Sequence, residues 1–251
     1  SFCPLLKLGI STMSKAQVIH KMGPPSAMNW QDWHVPDPAP GEVRLRHTAV
    51  GVNFADTYHR GGISHPWIVP PCPVVIGFEG VGTVEGVGAG VNNFKTGDRV
   101  AYGIPPLGSY SEVRNYPADK LLHMPENLDD KTVAALLMKG MTAHYLLHRP
   151  YAVQAGDTIL VHAAAGGMGL ILCQWAKALG AKVVGTVSTH EKADVARAAG
   201  CHYPVVRSEQ SFVDVVREVT DGEGCAVVLG ARQSPVHCTG RASDARAGGG
   251  T

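Results

Sequence analysis

The stretch Thr158-Ile-Leu-Val-His-Ala-Ala-Ala-Gly-Gly-Met-Gly169 decides how the chain is read. It starts as a short apolar run, long enough for one buried strand, and ends in a glycine-rich turn that opens a helix predicted over Gly167 to Leu179. A turn that holds a dinucleotide needs one small residue to bend tightly, one to bring backbone N–H groups to the pyrophosphate, and one to pack helix against strand. Those places fall on Ala164, Gly166 and Gly169, with Gly167 and Met168 inside the turn. The helix then presents unpaired N–H donors and its positive dipole end to a phosphate.

Downstream, strand and helix patterns alternate. A strand is expected over Lys182 to Val187, a helix over Glu191 to Ala199 and a short strand around Val205. A helix over about Ser211 to Val219 and a strand over Ala226 to Leu229 complete the series. Strands separated by helices of this length predict a parallel sheet in the order 3-2-1-4, with the last strand at an edge. Upstream, from Ala16 to Asn115, the chain is rich in valine, glycine and proline. Alternating segments such as Glu42-Val-Arg-Leu-Arg46 predict a β-rich region. A helix is predicted over Asp130 to His148, interrupted by Gly140.

The bulk composition narrows the function classes. With 22 basic and 21 acidic residues among 251, there is no overall basic field, which argues against a nucleic-acid partner. No apolar run approaches the roughly 20 residues that span a bilayer, and Pro4 to Ile10 is too short for a signal-peptide core. Six cysteines without a C-x-x-C pair fit reduced thiols and a cytoplasmic setting.

The end of the second parallel strand, Lys182 to Val187, bears on nucleotide choice. A protein binding NAD normally carries a carboxylate there for the ribose hydroxyls. Here the residues are Ser188-Thr189-His190, followed by Lys192. Hydroxyls and a cation accept a 2′-phosphate that a carboxylate would repel, so NADPH is favoured. The alternative is that Ser188 only caps the following helix and Lys192 is solvated.

Several motifs together resemble the zinc-free, zeta-crystallin-like quinone oxidoreductases of the medium-chain dehydrogenase/reductase superfamily. They are V-N-F-A-D-T-Y at 52–58, G-F-E-G-V-G at 77–82, G-D-R-V-A-Y at 97–102, G-S-Y-S-E at 108–112 and A-A-A-G-G-M-G-L-I-L-C-Q-W-A-K at 163–177. The likeness runs from about Met13 to Val228. It implies an α/β chain with a GroES-like β-barrel catalytic domain over 13–138 and a C-terminally incomplete Rossmann NADPH-binding domain over 139–228. It also implies quinone reduction by NADPH, and a homodimer when full length.

The resemblance places Asn53, Asp56 and Tyr58 beside nicotinamide and quinone. Asn53 would hydrogen-bond cofactor or acceptor, and Tyr58 would either donate a proton or form a wall. Lys139-Gly-Met-Thr142 matches a K-G-x-T motif whose threonine contacts the nicotinamide side, and Tyr145 follows at a cofactor-facing place. Arg207 stands where the family often has tyrosine near the adenosine phosphate; it would bind the 2′-phosphate or lie free on the surface. Zinc relatives carry cysteine at the place of Asn53 and histidine at that of Phe78, and neither residue here is a zinc ligand. Glu79 alone does not hold a metal, and His59, His65 and His123 show no ligand spacing and are expected to be solvated, so no metal is expected. A quinone accepts hydride without a Lewis acid, and the protein then supplies position and electrostatics.

Both ends depart from the family. Residues 1–12 read as leader or appended sequence. Residues 229–251 lack apolar periodicity, and they read either as a frame-shifted product of a GC-rich gene or as a natural short tail. Besides quinone reduction, two readings stay open: a reductase of enones or enoyl thioesters on the same fold, and an inactive dinucleotide- or nucleic-acid-binding form.

Overall fold

Strict alternation of buried and exposed residues opens the ordered chain. In β1 (Thr12–Ile19), Ser14, Ala16 and Val18 face inward while Met13 and Lys15 face out, the period-2 pattern of a strand with one covered face. The computed structural model describes residues 12–63 and 71–230, which divide into one unit reaching Met138 and another beginning at Lys139. Most of the expected leader, and the tail from residue 231, lie outside the described residues. Thr12, read above as part of the leader, belongs to β1, where it pairs with Val35 and accepts a hydrogen bond from Arg44.

The first unit is antiparallel. β1 pairs with β2 (Met28–Val35) and with the two-residue β4 (Val74–Val75) in a three-stranded sheet. A five-stranded sheet runs in the order β7 (Val113–Pro117), β3 (Glu42–Val50), β5 (Gly80–Val87), β6 (Arg99–Tyr102), β8 (Leu122–His123). Its core gathers Val43, Leu45, Val84, Phe94, Val100, Tyr102 and Tyr116. Tyr102 and Tyr116 stack with ring centroids 4.2 Å apart, and the buried Arg114 guanidinium lies over both. A short α-helix, α1 (Phe54–Gly61), interrupts the β pattern. It ends on Gly62, which closes it in the left-handed region at φ 71°, a conformation open to glycine.

α2 (Asp130–His148) is continuous through Gly140, so the expected interruption does not occur. Tertiary contacts made by Ala143 and Leu147, both fully buried, offset the cost of one helical glycine.

The second unit holds β9 (Thr158–Val161), α3 (Gly167–Ala178), β10 (Lys182–Val187), α4 (His190–Ala198), β11 (Tyr203–Val206), α5 (Phe212–Val219) and β12 (Val227–Leu229). Its four strands are parallel and run β11-β10-β9-β12, the 3-2-1-4 order expected from the alternation. Successive residues of β9 face opposite layers. Ile159 and Val161 pack with Leu172, Cys173 and Ala176 of α3 and with Ala193 and Ala196 of α4, while Leu160 packs with Val215 and Val216 of α5. Helices on both faces make the sheet doubly wound, and full burial of each Ile, Leu or Val side chain among these contributes about 1.5–3 kcal/mol. Leu229, read above as the first tail residue, is 3 % exposed, and its carbonyl accepts from His162 N at 2.9 Å. It therefore belongs to the sheet.

Candidate functional site

In the second unit the site grows from the end of β9. Ala163 takes a left-handed backbone conformation, φ 53°, which an L-residue adopts only under local constraint. Ala163 N donates to Thr186 Oγ1 (3.2 Å) and Ala164 N to Thr186 O (3.0 Å), so β10 holds the turn in place. Gly166 is the N-cap of α3 and has no side chain to cap it. The first N–H groups of α3 are thus not satisfied by a capping side chain, the arrangement that receives an anion.

Close packing explains the small residues. A Cβ on Gly169 would lie 2.3 Å from Ala163 O and 2.7 Å from Ala164 Cα. A Cβ on Gly185 of β10 would lie 2.6 Å from Ala164 Cβ, so the fully buried Ala164 and Gly185 must both stay small. Gly167 faces the Lys139 side chain, which an added Cβ would meet at 3.4 Å. Met168 is partly buried against the core beneath.

The next two strands end at the same level, since Val187 of β10 is in register with Val206 of β11. Ser188 and Arg207, the residues that follow, therefore leave the sheet side by side at its carboxyl edge. Lys192 Nζ donates to Ser188 Oγ at 3.2 Å. The residue capping α4 is Thr189, whose Oγ1 accepts from Lys192 N, so Ser188 is not the cap, while Lys192 is exposed, as the alternative expected. Arg207 is exposed, and its charge, after burial, contributes to lowering the pKa of His162. Two carboxylates share this edge. Glu191 is held below its usual pKa by the Thr189 hydroxyl, and Glu209 meets His190 at 3.0 Å. Thr142 and Tyr145 stand three residues apart on α2, the first half-buried and the second exposed.

In the first unit the structure brings together Asn53 and Asp56 and sets Tyr58 apart. Asn53 is the N-cap of α1, and its backbone N–H donates to Asp56 Oδ2 at 2.8 Å. Its side-chain amide turns instead to Glu79, with Nδ2 donating to Oε2 at 2.7 Å. Glu79 is fully buried and also accepts from Met138 N at 2.7 Å. Gly51 leaves room for this carboxylate, because a Cβ there would fall 2.1 Å from Glu79 Oε2 and 2.4 Å from Ala134 O. Asp56 accepts from Tyr110 OH at 2.7 Å, while its Oδ1 faces His59 Nδ1 at 3.8 Å. Burial, then the Asp56 hydrogen bond, push the Tyr110 hydroxyl pKa upward, and burial outweighs Asp56 in lowering that of His59. Tyr58 is 42 % exposed and packs edge-on against Phe54, itself 74 % exposed.

Sequence reasoning passed over Glu79 and Tyr110 as members of this network, and His59, expected to be solvated, is instead buried at 4 % exposure beside Asp56. His65 lies outside the described residues. The clue was present in Gly51 and in the G-F-E-G-V-G motif, where a buried carboxylate needs both space and donors. The donor set does not suit zinc: the Asn53 amide is committed to Glu79, Phe78 packs edge-on against His59, and no group of three or more His, Cys, Asp or Glu side chains able to hold a metal occurs among the described residues. Among those residues, too, no helix is long and apolar enough to cross a membrane.

Comparison with known proteins matches residues 39–126 to the alcohol dehydrogenase GroES-like domain and residues 167–237 to the zinc-binding dehydrogenase domain. A 2-haloacrylate reductase of Burkholderia sp is 55% identical over 218 residues, 86% of this chain and 66% of that protein. A quinone oxidoreductase of Sus scrofa is 35% identical, covering 88% of this chain and 67% of its own length. The crystal structure of Escherichia coli quinone oxidoreductase complexed with NADPH superposes with a TM-score of 0.81 at 41% identity, covering 86% of this chain and 65% of that one. The chain spans just under two thirds of the length of the first curated relatives it matches. The two-domain match, the doubly wound sheet and the identity over nearly the whole described chain lead to one conclusion: this chain belongs to the quinone oxidoreductase family of the medium-chain dehydrogenase/reductases.

Proposed function

We propose that the protein is an NADPH-dependent reductase that reduces quinones by hydride transfer without zinc. The observation that carries this reading is the carboxyl edge of the parallel sheet, where an uncapped helix start adjoins a Ser188–Lys192 pair in place of a ribose-binding carboxylate. Gly166, Gly167, Met168 and Gly169, with Ala164 beneath them, would hold the pyrophosphate on the N–H groups of α3. Ser188, Lys192 and Arg207 would take the 2′-phosphate, Lys192 and Arg207 as charge-assisted donors. Thr142 and Tyr145 would flank the nicotinamide. NADPH, when bound, supplies the hydride.

The acceptor side belongs to Asn53, Asp56 and Tyr58. Glu79 fixes the plane of the Asn53 amide, and Asp56 holds the backbone that positions it. Asp56 is buried against Tyr110 and acts as a positioning residue. Tyr58 is 42 % exposed, and its hydroxyl would donate a proton to an acceptor that has gained negative charge. In this reading residues 13–138 form the catalytic domain and 139–228 the nucleotide-binding domain, and the full-length protein is a cytoplasmic homodimer.

A second reading rests on the 55% identical relative named 2-haloacrylate reductase: the same residues would deliver hydride to an activated carbon–carbon double bond. The test is a fluorescence titration with NADPH and NADH, followed by turnover of a panel of quinones and enones side by side. Tighter NADPH binding with quinone turnover supports the first reading, and preference for the enones supports the second. Nucleotide binding with no acceptor turned over would overturn both.

A further inference from the structure

His144 and His148 lie four residues apart on α2, so both imidazoles rise from one face of the helix. Their ring centroids are 4.8 Å apart, and each ring lies 5.7 Å from the indole of Trp175 on α3. Neither ring has a hydrogen-bond or ion-pair partner among the described residues. His144 is exposed and His148 half-buried. The nucleotide and acceptor residues above make no use of either.

The spacing suits a chelate. A metal bonded to a ring nitrogen at about 2.0–2.1 Å lies about 3.2 Å from that ring's centroid, so two imidazoles at angles of about 90–109° have centroids about 4.5–5.2 Å apart. The observed separation falls inside that window. His148 is in the last turn of α2, where the helix dipole favours a cation, although the neighbouring Arg149 works against it.

We infer that His144 and His148 form a two-imidazole site for a borderline divalent transition-metal ion, with Cu²⁺ bound most tightly, then Ni²⁺ and Zn²⁺. The order follows from nitrogen donors and the Irving–Williams series. Two protein ligands leave the remaining positions to water, which separates this surface site from the tetrahedral cage of a resident structural zinc.

Trp175 makes the site self-reporting. Addition of Cu²⁺ alone to the 251-residue protein quenches tryptophan fluorescence with one equivalent bound, and Trp175→Phe removes most of that change while leaving the stoichiometry intact. Electron paramagnetic resonance of the Cu²⁺ form shows two nitrogen ligands. His144→Gln and His148→Asn each weaken binding by about tenfold or more, because the second ligand no longer adds to the first on one rigid helix. Ni²⁺, which does not oxidise thiols, gives the same ranking of variants. Cu²⁺ binding of unchanged affinity in both variants would sink the assignment, as would fewer than two nitrogen ligands in the native protein, a measurement that requires no substitution to fold.

Discussion

In the proposed reading, Lys192 is the residue on which cofactor choice turns. Its ammonium already donates to Ser188 at 3.2 Å, so it is held at the carboxyl edge of β10. Lys192→Ala removes a charge-assisted hydrogen bond of about 1.5–3 kcal/mol, or about 10- to 150-fold in NADPH affinity, and leaves NADH nearly unchanged. Equal losses for both nucleotides in parallel titrations count against the assignment. The residues of this edge were legible because they are close in sequence and because a missing carboxylate is itself a pattern. Glu79 was not legible as a partner of Asn53, since its donors arrive from residues 53 and 138, far from it along the chain. That buried carboxylate yields a second prediction. Gly51→Ala forces a methyl against Glu79 and the Ala134 carbonyl and destabilises the first unit by about 1–3 kcal/mol, read as a lower denaturant midpoint at constant slope.

Helices and parallel strands were read closely from periodicity: α3, β10, α4 and the 3-2-1-4 order all follow from local patterns separated by short turns. The antiparallel unit was legible only as β-rich. Alternation shows that a strand exists but not which strand it joins, and the pairing of β3 with both β5 and β7 spans dozens of residues. Its register also shifts at Arg44/Leu45 and His47/Ala49, irregularities that no period-2 pattern contains. The two-residue strands β4 and β8 fall below any pattern. α2 offers a test at this scale. Gly140 lies inside a continuous helix, and a Cβ there meets nothing within 4 Å. Gly140→Ala is therefore expected to stabilise the protein by about 0.5–1 kcal/mol, seen as a higher melting temperature. A lower one would mean that the helix needs its glycine for a reason other than backbone freedom.

For the whole molecule, acidity is the sharper lever. His47 donates from Nδ1 to the Ser111 carbonyl, and its Nε2 pairs with the Tyr102 hydroxyl at 2.7 Å. Burial lowers its pKa from 6.5 to about 4, with the nearby Arg114 charge adding to the effect and the Ser111 hydrogen bond opposing it. Below pH 6.5 the unfolded chain therefore binds a proton that the folded chain refuses. Stability is intact above that pH and falls as pH drops toward 4, by no more than about 3 kcal/mol for this group. His59, lowered in the same direction, adds to the loss. Chemical denaturation at pH 7, 6, 5 and 4 should show this decline, and His47→Gln should flatten it. Chelators, by contrast, are expected to leave the melting curve and any reductase activity unchanged, the two-histidine site included, because the fold places no structural metal there. The burial of the thiols carries a consequence of another kind. Cys173, Cys201 and Cys225 are sealed in the second unit, whereas Cys72 of the first is only half-buried. An alkylating reagent applied to the native protein should modify Cys72 early and the other three only when the parallel sheet opens. Peptide-resolved labelling rates would then time the opening of that sheet from within, separately from events in the antiparallel unit.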